Sequence, residues 1–335
     1  MEKSIIKQNV GIDIAKDDFK VCFSVLRSDF EIKILGSRTF SNTYKGFQDF
    51  FLWTKNKRKS SDTVYFTLEA TGVYYEGLAY FLWKEPDFNV QLVLPNKVKH
   101  YARSLDVKSK TDKIDAQILS RFGLERELRI WQPISGNLLE LKQLTRERDS
   151  LIRSRTTAAN QLHATEHQGK PNKKVIVRTK KHIVFLDKQV KEIEKEIKTI
   201  VNQDDKLKKK FACLQSIPGV GLLTVACIAA ETNGFETFTS IKQVTSYAGL
   251  DVRIVESGKW KGESHISKRG NSHIRKALYM PSLSRIRYDK SANLFYENLK
   301  ERKGKAMVAL VAVQRKMLGL MFSLWKNETM YKVND

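Results

Sequence analysis

Four acidic side chains are the residues of this chain whose types and spacing could do chemistry. Asp13 lies in GIDIAK, Glu69 in FTLEATG, and Asp112 and Asp115 in KTDKIDA. Carboxylate oxygens are ligands that Mg2+ prefers, and two such ions about 4 Å apart stabilise both the attacking and the leaving oxygen of a phosphodiester. The four acids therefore predict a metal site with two Mg2+ ions in an enzyme that acts on nucleic acid.

Each acid also has an ordinary structural interpretation. A strand aspartate can cap a turn, Glu69 can pair with a lysine, and aspartates in a first helical turn favour the helix macrodipole. GIDIAK alone is also similar to the first phosphate loop of actin-like ATPases and sugar kinases. That alternative requires a second loop of the Asp-x-Gly-Gly type, and the chain has none.

A serine in a basic segment is the second candidate for chemistry. A serine can attack phosphorus when its proton is removed and the charge on the phosphoryl oxygens is neutralised. Ser257 precedes a glycine in such a segment, where Ser264 and Ser267 are rivals and a turn serine is the ordinary interpretation. The residues that would neutralise or bind phosphate there are Lys259, Lys268, Arg269, Arg275 and Lys276.

The segment IPGVG, which contains Gly219 and Gly221, predicts a tight turn into a helix. Backbone amides at the start of that helix would point outward, as in a helix-hairpin-helix element that binds phosphate without reading sequence. The alternative is that the glycines allow close packing of helices.

The elements that must position the acids follow from the hydrophobic pattern. Three consecutive strands are predicted at NVGIDIA, FKVCFSVL and EIKILGSRTF, then helices near 45–53 and 74–83 alternate with strands at VYFTL and VQLVL. This order is typical of an α/β sheet of the ribonuclease-H type. Sites in open α/β sheets gather at strand ends, so acids far apart in sequence can meet there.

Long polar helices replace the strands after Gly136. One helix is predicted from about Leu138 to His163, and a second carries apolar residues in steps of three and four, which indicates an antiparallel hairpin, a subunit contact, or both. We therefore predict an α/β domain over 1–135, a helical hairpin over 136–210 and a mostly helical domain over 211–335.

Composition restricts the partners. The chain has 60 Lys and Arg against 37 Asp and Glu, a formal charge of +23, which attracts polyanions.

Cys22, Cys213 and Cys227 show no CxxC spacing, which favours a reducing cytosol without structural zinc. The late apolar segment is interrupted by Gln314, Arg315 and Lys316, so a buried or partner-facing helix is favoured over a membrane span. We expect a cytoplasmic protein with no membrane partner.

The motifs together resemble those of the DEDD-type insertion-sequence transposases, the one-hundred-and-ten family, which is related to the Piv DNA invertases and includes bridge-RNA-guided recombinases. GIDIAK, LEATGVYYE and KTDKIDA match the acidic blocks of its RuvC-like domain. IPGVG, SYAGL, ESGK and ISKRGNSHIRKAL match its C-terminal transposase domain. The resemblance covers nearly the whole chain, with the motifs in the family's order.

The resemblance implies specific roles and partners. It implies that Asp13, Glu69, Asp112 and Asp115 bind magnesium and that Ser257 is the nucleophile that joins transiently to DNA. It also implies target and donor DNA, a noncoding guide RNA, and a homo-oligomer, either dimer or tetramer. Two rival functions are a hydrolytic nuclease of the Holliday-junction resolvase type, in which water attacks, and an architectural nucleic-acid binder with inactive acids.

Overall fold

The structure is a computed structural model that describes residues 4–59, 63–70, 72–106, 111–254, 256–258, 260–262 and 265–332. The chain divides into two units, Met1–Pro133 and Ile134–Asp335. The first unit combines strands and helices, whereas the second is mostly helical. The predicted class of an α/β part followed by a helical part is confirmed at this level. The separate domains predicted for 136–210 and 211–335 stay a prediction.

The first unit follows the predicted order of three strands and then alternating helices and strands. Its described elements are β1 (Ile5–Ile14), β2 (Asp18–Arg27), β3 (Ile32–Ser41), α1 (Tyr44–Lys57), β4 (Val64–Glu69), α2 (Glu76–Trp83), β5 (Phe88–Val93), α3 (Pro95–Ser104) and α4 (Asp112–Glu125).

The five strands form one mixed sheet in the order β3-β2-β1-β4-β5. β1 is antiparallel to β2, with Asp13 opposite Lys20, and parallel to β4, with Ile12 beside Leu68. β3 is antiparallel to β2, and β5 is parallel to β4. Since Asp13 follows Ile12 and Glu69 follows Leu68, the register brings these two acids to the ends of neighbouring strands.

Alternation along β1 divides its side chains between the two faces of the sheet. Val10, Ile12 and Ile14 enter an aromatic-rich core with residues of α1 and α2. Asn9 and Gly11 contact α4 on the opposite face. Asp13, two residues further on, therefore belongs to the face that α4 covers.

The second unit is built almost entirely from helices. Its described elements are α5 (Gly136–Glu166), α6 (Lys173–Gln203), α7 (Asp205–Gln215), α8 (Leu222–Glu231), α9 (Ile241–Tyr247), β6 (Val252–Arg253), β7 (Glu256–Ser257), β8 (Trp260–Lys261), β9 (His265–Ile266), α10 (Ser272–Tyr288), α11 (Lys290–Lys303) and α12 (Ala306–Asn327).

α5 and α6 form the predicted helical hairpin. Leu186, Ile193 and Ile197 of the predicted apolar seam are buried along α6. Ion pairs between the two helices join Arg148 to Glu194, Arg155 to Asp187 and Glu166 to Lys180. Basic side chains of the hairpin are thus partly engaged in holding its two helices together.

α12 is long and apolar enough to cross a membrane by length and composition, and half of its most apolar window is buried inside the protein. Val313, Met317 and Met321 of α12 belong to the core cluster of this unit. The helix packs against α7, α9, α10 and α11. About half of its apolar window therefore packs within the fold, whereas Met307 and Val308 are exposed.

Candidate active site

The α/β unit brings the four predicted acids into one region. Asp13 and Glu69 lie at the ends of the parallel neighbours β1 and β4. Asp112 and Asp115 occupy the first turn of α4, where the Thr111 hydroxyl accepts a hydrogen bond from the backbone N–H of Ile114 at 3.3 Å. This cap fixes where the helix begins and so where the two aspartates emerge.

The pKa of Asp13 depends on the charges of the other three acids. Its pKa is raised to about 6, first by burial and then by the negative charges of Asp115, Asp112 and Glu69, while Lys20 lowers it. All three other carboxylates therefore lie within electrostatic reach of Asp13. Such mutual repulsion in a partly buried site is relieved when a cation binds.

The carboxylates do not form a ready-made coordination shell. Within the part of the chain that the structure describes, no group of three or more His, Cys, Asp or Glu side chains is arranged to hold a metal ion. Lys20 instead forms an ion pair with Asp112. A positive charge thus already lies beside the acids.

The donor set nevertheless fits a hard divalent cation. The four side chains are all carboxylates, with neither thiolate nor imidazole among them. Mg2+ prefers such oxygen ligands, whereas zinc sites use cysteine and histidine. Asp112 is exposed and Asp13 is half-buried, so a cation and a substrate can both reach the cluster from solvent.

Close packing between β1 and α4 holds the two halves of the cluster together. A Cβ built on Gly11 would lie 2.1 Å from the backbone N of Ser120. One built on Gly123 would lie 2.1 Å from Thr67 Oγ1 and 2.2 Å from Asn9 Nδ2. Only glycine allows this approach of helix and strand.

A buried polar network crosses the same interface. Asn9 Nδ2 donates to the Ser120 carbonyl at 2.7 Å, and Ser120 Oγ donates back to the Asn9 carbonyl at 3.1 Å. Thr67 Oγ1 donates to Asn9 Oδ1 at 3.1 Å. Because buried polar groups are costly when unpaired, this network resists sliding of α4 along the strand and so maintains the position of Asp112 and Asp115.

The basic segment that carries the candidate serines contains short strands. β6 pairs with β9, with Arg253 opposite His265, and β7 pairs with β8, with Ser257 opposite Trp260. Gly258 follows Ser257 with a φ of +57°, the left-handed conformation that a tight turn requires. Ser257 is exposed on this two-stranded segment.

The candidate serines differ in their contacts. Ser267 Oγ donates to Asp251 Oδ1 at 2.5 Å and accepts from the Arg269 backbone N–H at 3.3 Å. Its hydroxyl therefore stabilises the turn before α10. Ser264 lies outside the described residues, and Ser257 is the exposed candidate. These contacts favour Ser257 over Ser267 as a group that a substrate could reach.

The basic residues proposed to bind phosphate fall into two groups. Lys268 and Arg269 are exposed, and Lys268 has a φ of +51°. Arg275 Nη1 donates to the carbonyl of Ala248 at 2.7 Å, and Lys276 Nζ pairs with Asp149 at 3.0 Å. The last two side chains therefore hold α10 to its neighbours. Lys259 lies outside the described residues.

The two glycines of IPGVG also differ. Gly219 has a φ of +85°, and a Cβ on it would lie 2.7 Å from Ser284 Cβ, so it allows α10 to pack closely. Gly221 is the N-cap of α8, and a Cβ there would meet nothing within 4 Å. Gly219 therefore fits the interpretation that the glycines allow close packing of helices. Gly221 is the better candidate for phosphate binding at the start of α8.

Glu231 is a buried acid that the sequence alone does not reveal, and it connects four helices of the second unit through its carboxylate and its backbone carbonyl. Glu231 accepts two hydrogen bonds from Arg146, at 2.7 and 3.0 Å, and one from Asn271 Nδ2 at 2.6 Å. Burial alone would raise the pKa of Glu231, but these bonds lower it below its usual range. Tyr247 also donates to the Glu231 carbonyl at 3.1 Å.

The position of Asn271 gives this network a link to the serine segment. Its side-chain oxygen caps α10 by accepting from the backbone N–H groups of His273 and Ile274. Glu231 thus fixes the point at which the serine segment enters α10. Glu231 lies in an apolar run, and an acid in such a run is the signal that could have identified it.

Comparisons with known proteins agree along most of the chain. Residues 10–168 match the model of the IS110-type DEDD transposase domain, and residues 212–297 match that of the transposase family IS116/IS110/IS902. The pilin gene-inverting proteins of Moraxella bovis and Moraxella lacunata are each 30% identical over 327 residues, 95% of both chains. The transposase for insertion sequence element IS1111A of Coxiella burnetii is 25% identical over 354 residues, 96% of this chain and 91% of its own.

Proposed function

Because this chain belongs to the IS110 family of transposases, which are DNA recombination enzymes, we propose that it cleaves and rejoins DNA strands with a carboxylate-bound metal site and a serine nucleophile. The carboxylate cluster around Asp13 is the observation that carries the proposal. Its acids come from two strands and one helix, and burial together with their mutual repulsion raises the pKa of Asp13. Perturbed carboxylates of this kind gather at functional sites.

The α/β unit is proposed to have a ribonuclease-H-like, RuvC-type fold. Support comes from its sheet order, with three antiparallel strands followed by two parallel ones. In this proposal Asp13, Glu69, Asp112 and Asp115 hold Mg2+, two ions per site. When bound, these ions would neutralise charge that develops on the phosphoryl oxygens.

Ser257 is proposed as the nucleophile. Its Oγ forms a bond to phosphorus, its proton leaves to a base, and the bond from phosphorus to one sugar oxygen breaks as that oxygen gains a proton. The reverse attack by a sugar hydroxyl rejoins a strand and releases the serine. The exposure of Ser257 supports this role, because a DNA backbone must approach within bonding distance.

The proposed partners are target and donor DNA, a noncoding guide RNA and further copies of this chain, in the cytoplasm. The formal charge of +23 supports binding of nucleic acid in general. Exposed Lys268 and Arg269, together with Lys259 and Gly221, are proposed to contact phosphates. Sequencing RNA that copurifies with the protein tests the guide: one enriched short transcript from flanking DNA is expected, and random cellular RNA would contradict it.

The proposal is tested by trapping the protein on DNA and separating the products on a denaturing gel. Wild-type protein with Mg2+ should give a covalent protein–DNA adduct, Ser257→Ala should give none, and Ser264→Ala and Ser267→Ala should retain it. Active wild-type protein that forms no adduct would favour the hydrolytic nuclease. An adduct with Ser257→Ala would overturn the choice of serine.

The acids are tested separately from the serine. Asp13→Asn and Asp112→Asn should lower strand cleavage by at least about a hundredfold, the scale on which loss of one charge-stabilising group acts. DNA binding should be retained, because the acids repel phosphate. Asp49→Asn, at an exposed aspartate of α1, is the matched control. Full recombination activity of Asp13→Asn would exclude the proposed site. If the protein were an architectural binder, the wild-type protein would itself show no recombination.

A further inference from the structure

An exposed tryptophan lies beside the proposed nucleophile. Trp260 is 59% exposed, compared with 48% for Trp83 and 3% for Trp325. Large aromatic side chains are normally well buried, and burying one contributes much of the energy of a core or an interface. An indole this exposed on a two-stranded segment is therefore a surface that a ligand can cover.

The strand register places the indole and the hydroxyl on the same side. Ser257 of β7 is directly opposite Trp260 of β8 in an antiparallel pair. Side chains of directly opposite residues project from the same face of the ribbon, with Cβ atoms about 4.5–5.5 Å apart. A strand whose phosphate reaches Ser257 would thus bring its neighbouring base close to the face of Trp260.

The net positive charge of the segment that carries Trp260 favours nucleic acid as the ligand. Basic residues outnumber acidic ones over 252–270. Arg253, Lys268 and Arg269 are all exposed. A positively charged surface with an exposed aromatic ring is the combination by which proteins hold single strands, with phosphates on the cations and a base on the ring.

We propose that Trp260 is a stacking site for a nucleobase next to the phosphate that Ser257 attacks. The choice of ligand rests on the proposed function, since it takes DNA as the substrate. Stacking on the indole would draw a base out of the duplex stack and fix the nearby backbone, which supplies orientation to the reaction. Every base has a π face, so the site tolerates any sequence.

Binding of single-stranded oligothymidylate to the full-length protein tests the inference. Single-stranded DNA should quench the fluorescence component that disappears in Trp260→Phe. Trp260→Ala should bind the strand about 5- to 100-fold more weakly. Trp260→Phe should bind almost as well as wild type, whereas Trp260→Leu, which keeps apolar bulk without an aromatic face, should resemble Trp260→Ala.

Trp83→Ala, in α2, is the matched control for loss of an exposed indole and should leave DNA affinity unchanged. Trp260 is exposed, so we expect unchanged thermal melting for its variants. If Trp260→Ala melts at a lower temperature than wild type, the test uses the comparison of Trp260→Phe with Trp260→Leu instead. Equal affinity of the Phe and Leu variants, or an absence of quenching, would overturn the inference.

Failure of this inference can be separated from failure of the proposed function. Ser257→Ala should retain the quenching, because stacking does not require the nucleophile, so the inference survives even if another group attacks phosphorus. Conversely, adduct formation without any quenching contradicts only the stacking site. Sedimentation of Trp260→Ala as a smaller oligomer with unchanged DNA affinity would show that a second copy of the chain covers the indole, and would overturn the inference.

Discussion

Asp13→Asn removes one negative charge from the carboxylate cluster and hardly changes the size of the side chain. In metal-free protein the folded state raises the pKa of Asp13 to about 6, against 3.8 for the ordinary side chain. Because the folded state holds the proton more tightly than the unfolded state, ionisation of Asp13 opposes folding. This penalty is absent below about pH 4, grows between about pH 4 and 6, and is complete above that range.

The size of the penalty follows from the difference in pKa. A shift of about two units corresponds to about 3 kcal/mol. Asp13 is only partly buried, so solvent screens the repulsion and we expect about 1–2 kcal/mol. For a unit of this size Asp13→Asn should therefore raise the melting temperature by about 3–8 °C at neutral pH or above, without metal.

Circular-dichroism melts of the full chain in a chelating buffer provide the assay. The gain in stability should be complete near pH 8, above the titration range of Asp13, and should vanish near pH 4, at the lower limit of that range. Mg2+ should stabilise wild type by mass action and Asp13→Asn less. Asp49→Asn should change neither the melting temperature without metal nor the stabilisation by Mg2+. A variant no more stable than wild type, or a gain that does not depend on pH, would refute the reasoning.

Two further predictions concern packing and buried charge. Gly11→Ala should destabilise the protein by about 1–3 kcal/mol, because its new methyl group meets the α4 backbone; urea unfolding measures this, and an unchanged midpoint would contradict it. Glu231→Ala should cost about 3 kcal/mol, since Arg146 and Asn271 lose their shared acceptor. A thermal melt checks it, with the milder Glu231→Gln as control, and equal melting of both variants would count against the network.

The order of elements in the first unit follows from local patterns. Each predicted strand is present, because short runs rich in apolar, β-branched and aromatic residues favour extended structure. Thr111 before Asp112 predicts the start of α4, and the N-cap bond confirms it. Such signals lie within a few residues of the elements that they define, which is why sequence reasoning finds them.

Contacts made across the sheet are harder to predict. Lys20 pairs with Asp112 although 91 residues separate them in the sequence. The register of the β1–β2 hairpin, which places Lys20 opposite Asp13, indicates only that Lys20 lies near the acids. Asn9 is a polar residue within a buried strand, so the sequence indicates that its side chain has a hydrogen-bond partner but does not identify that partner. Its partner Ser120 follows from the three-dimensional packing of α4.

Basic residues show a second limit. Lys276 and Arg275 are indistinguishable in sequence from Lys268 and Arg269, yet the first two stabilise α10 and the last two are exposed. Asp149, the acid that pairs with Lys276, lies in α5 and is distant from it in the sequence. Charge counts predict the class of partner, whereas the pairing of individual cations depends on tertiary contacts.

The bare backbone contact at Gly11 affects how hybrid proteins from this family should be assembled. Strand and helix touch there without intervening side chains, whereas Gly123, further along α4, packs against the side chains of Thr67 and Asn9. A graft that carries β1 from one homologue and α4 from another would have to reproduce this close backbone contact. Designers who exchange acidic blocks among relatives should accordingly move these two segments as one cassette.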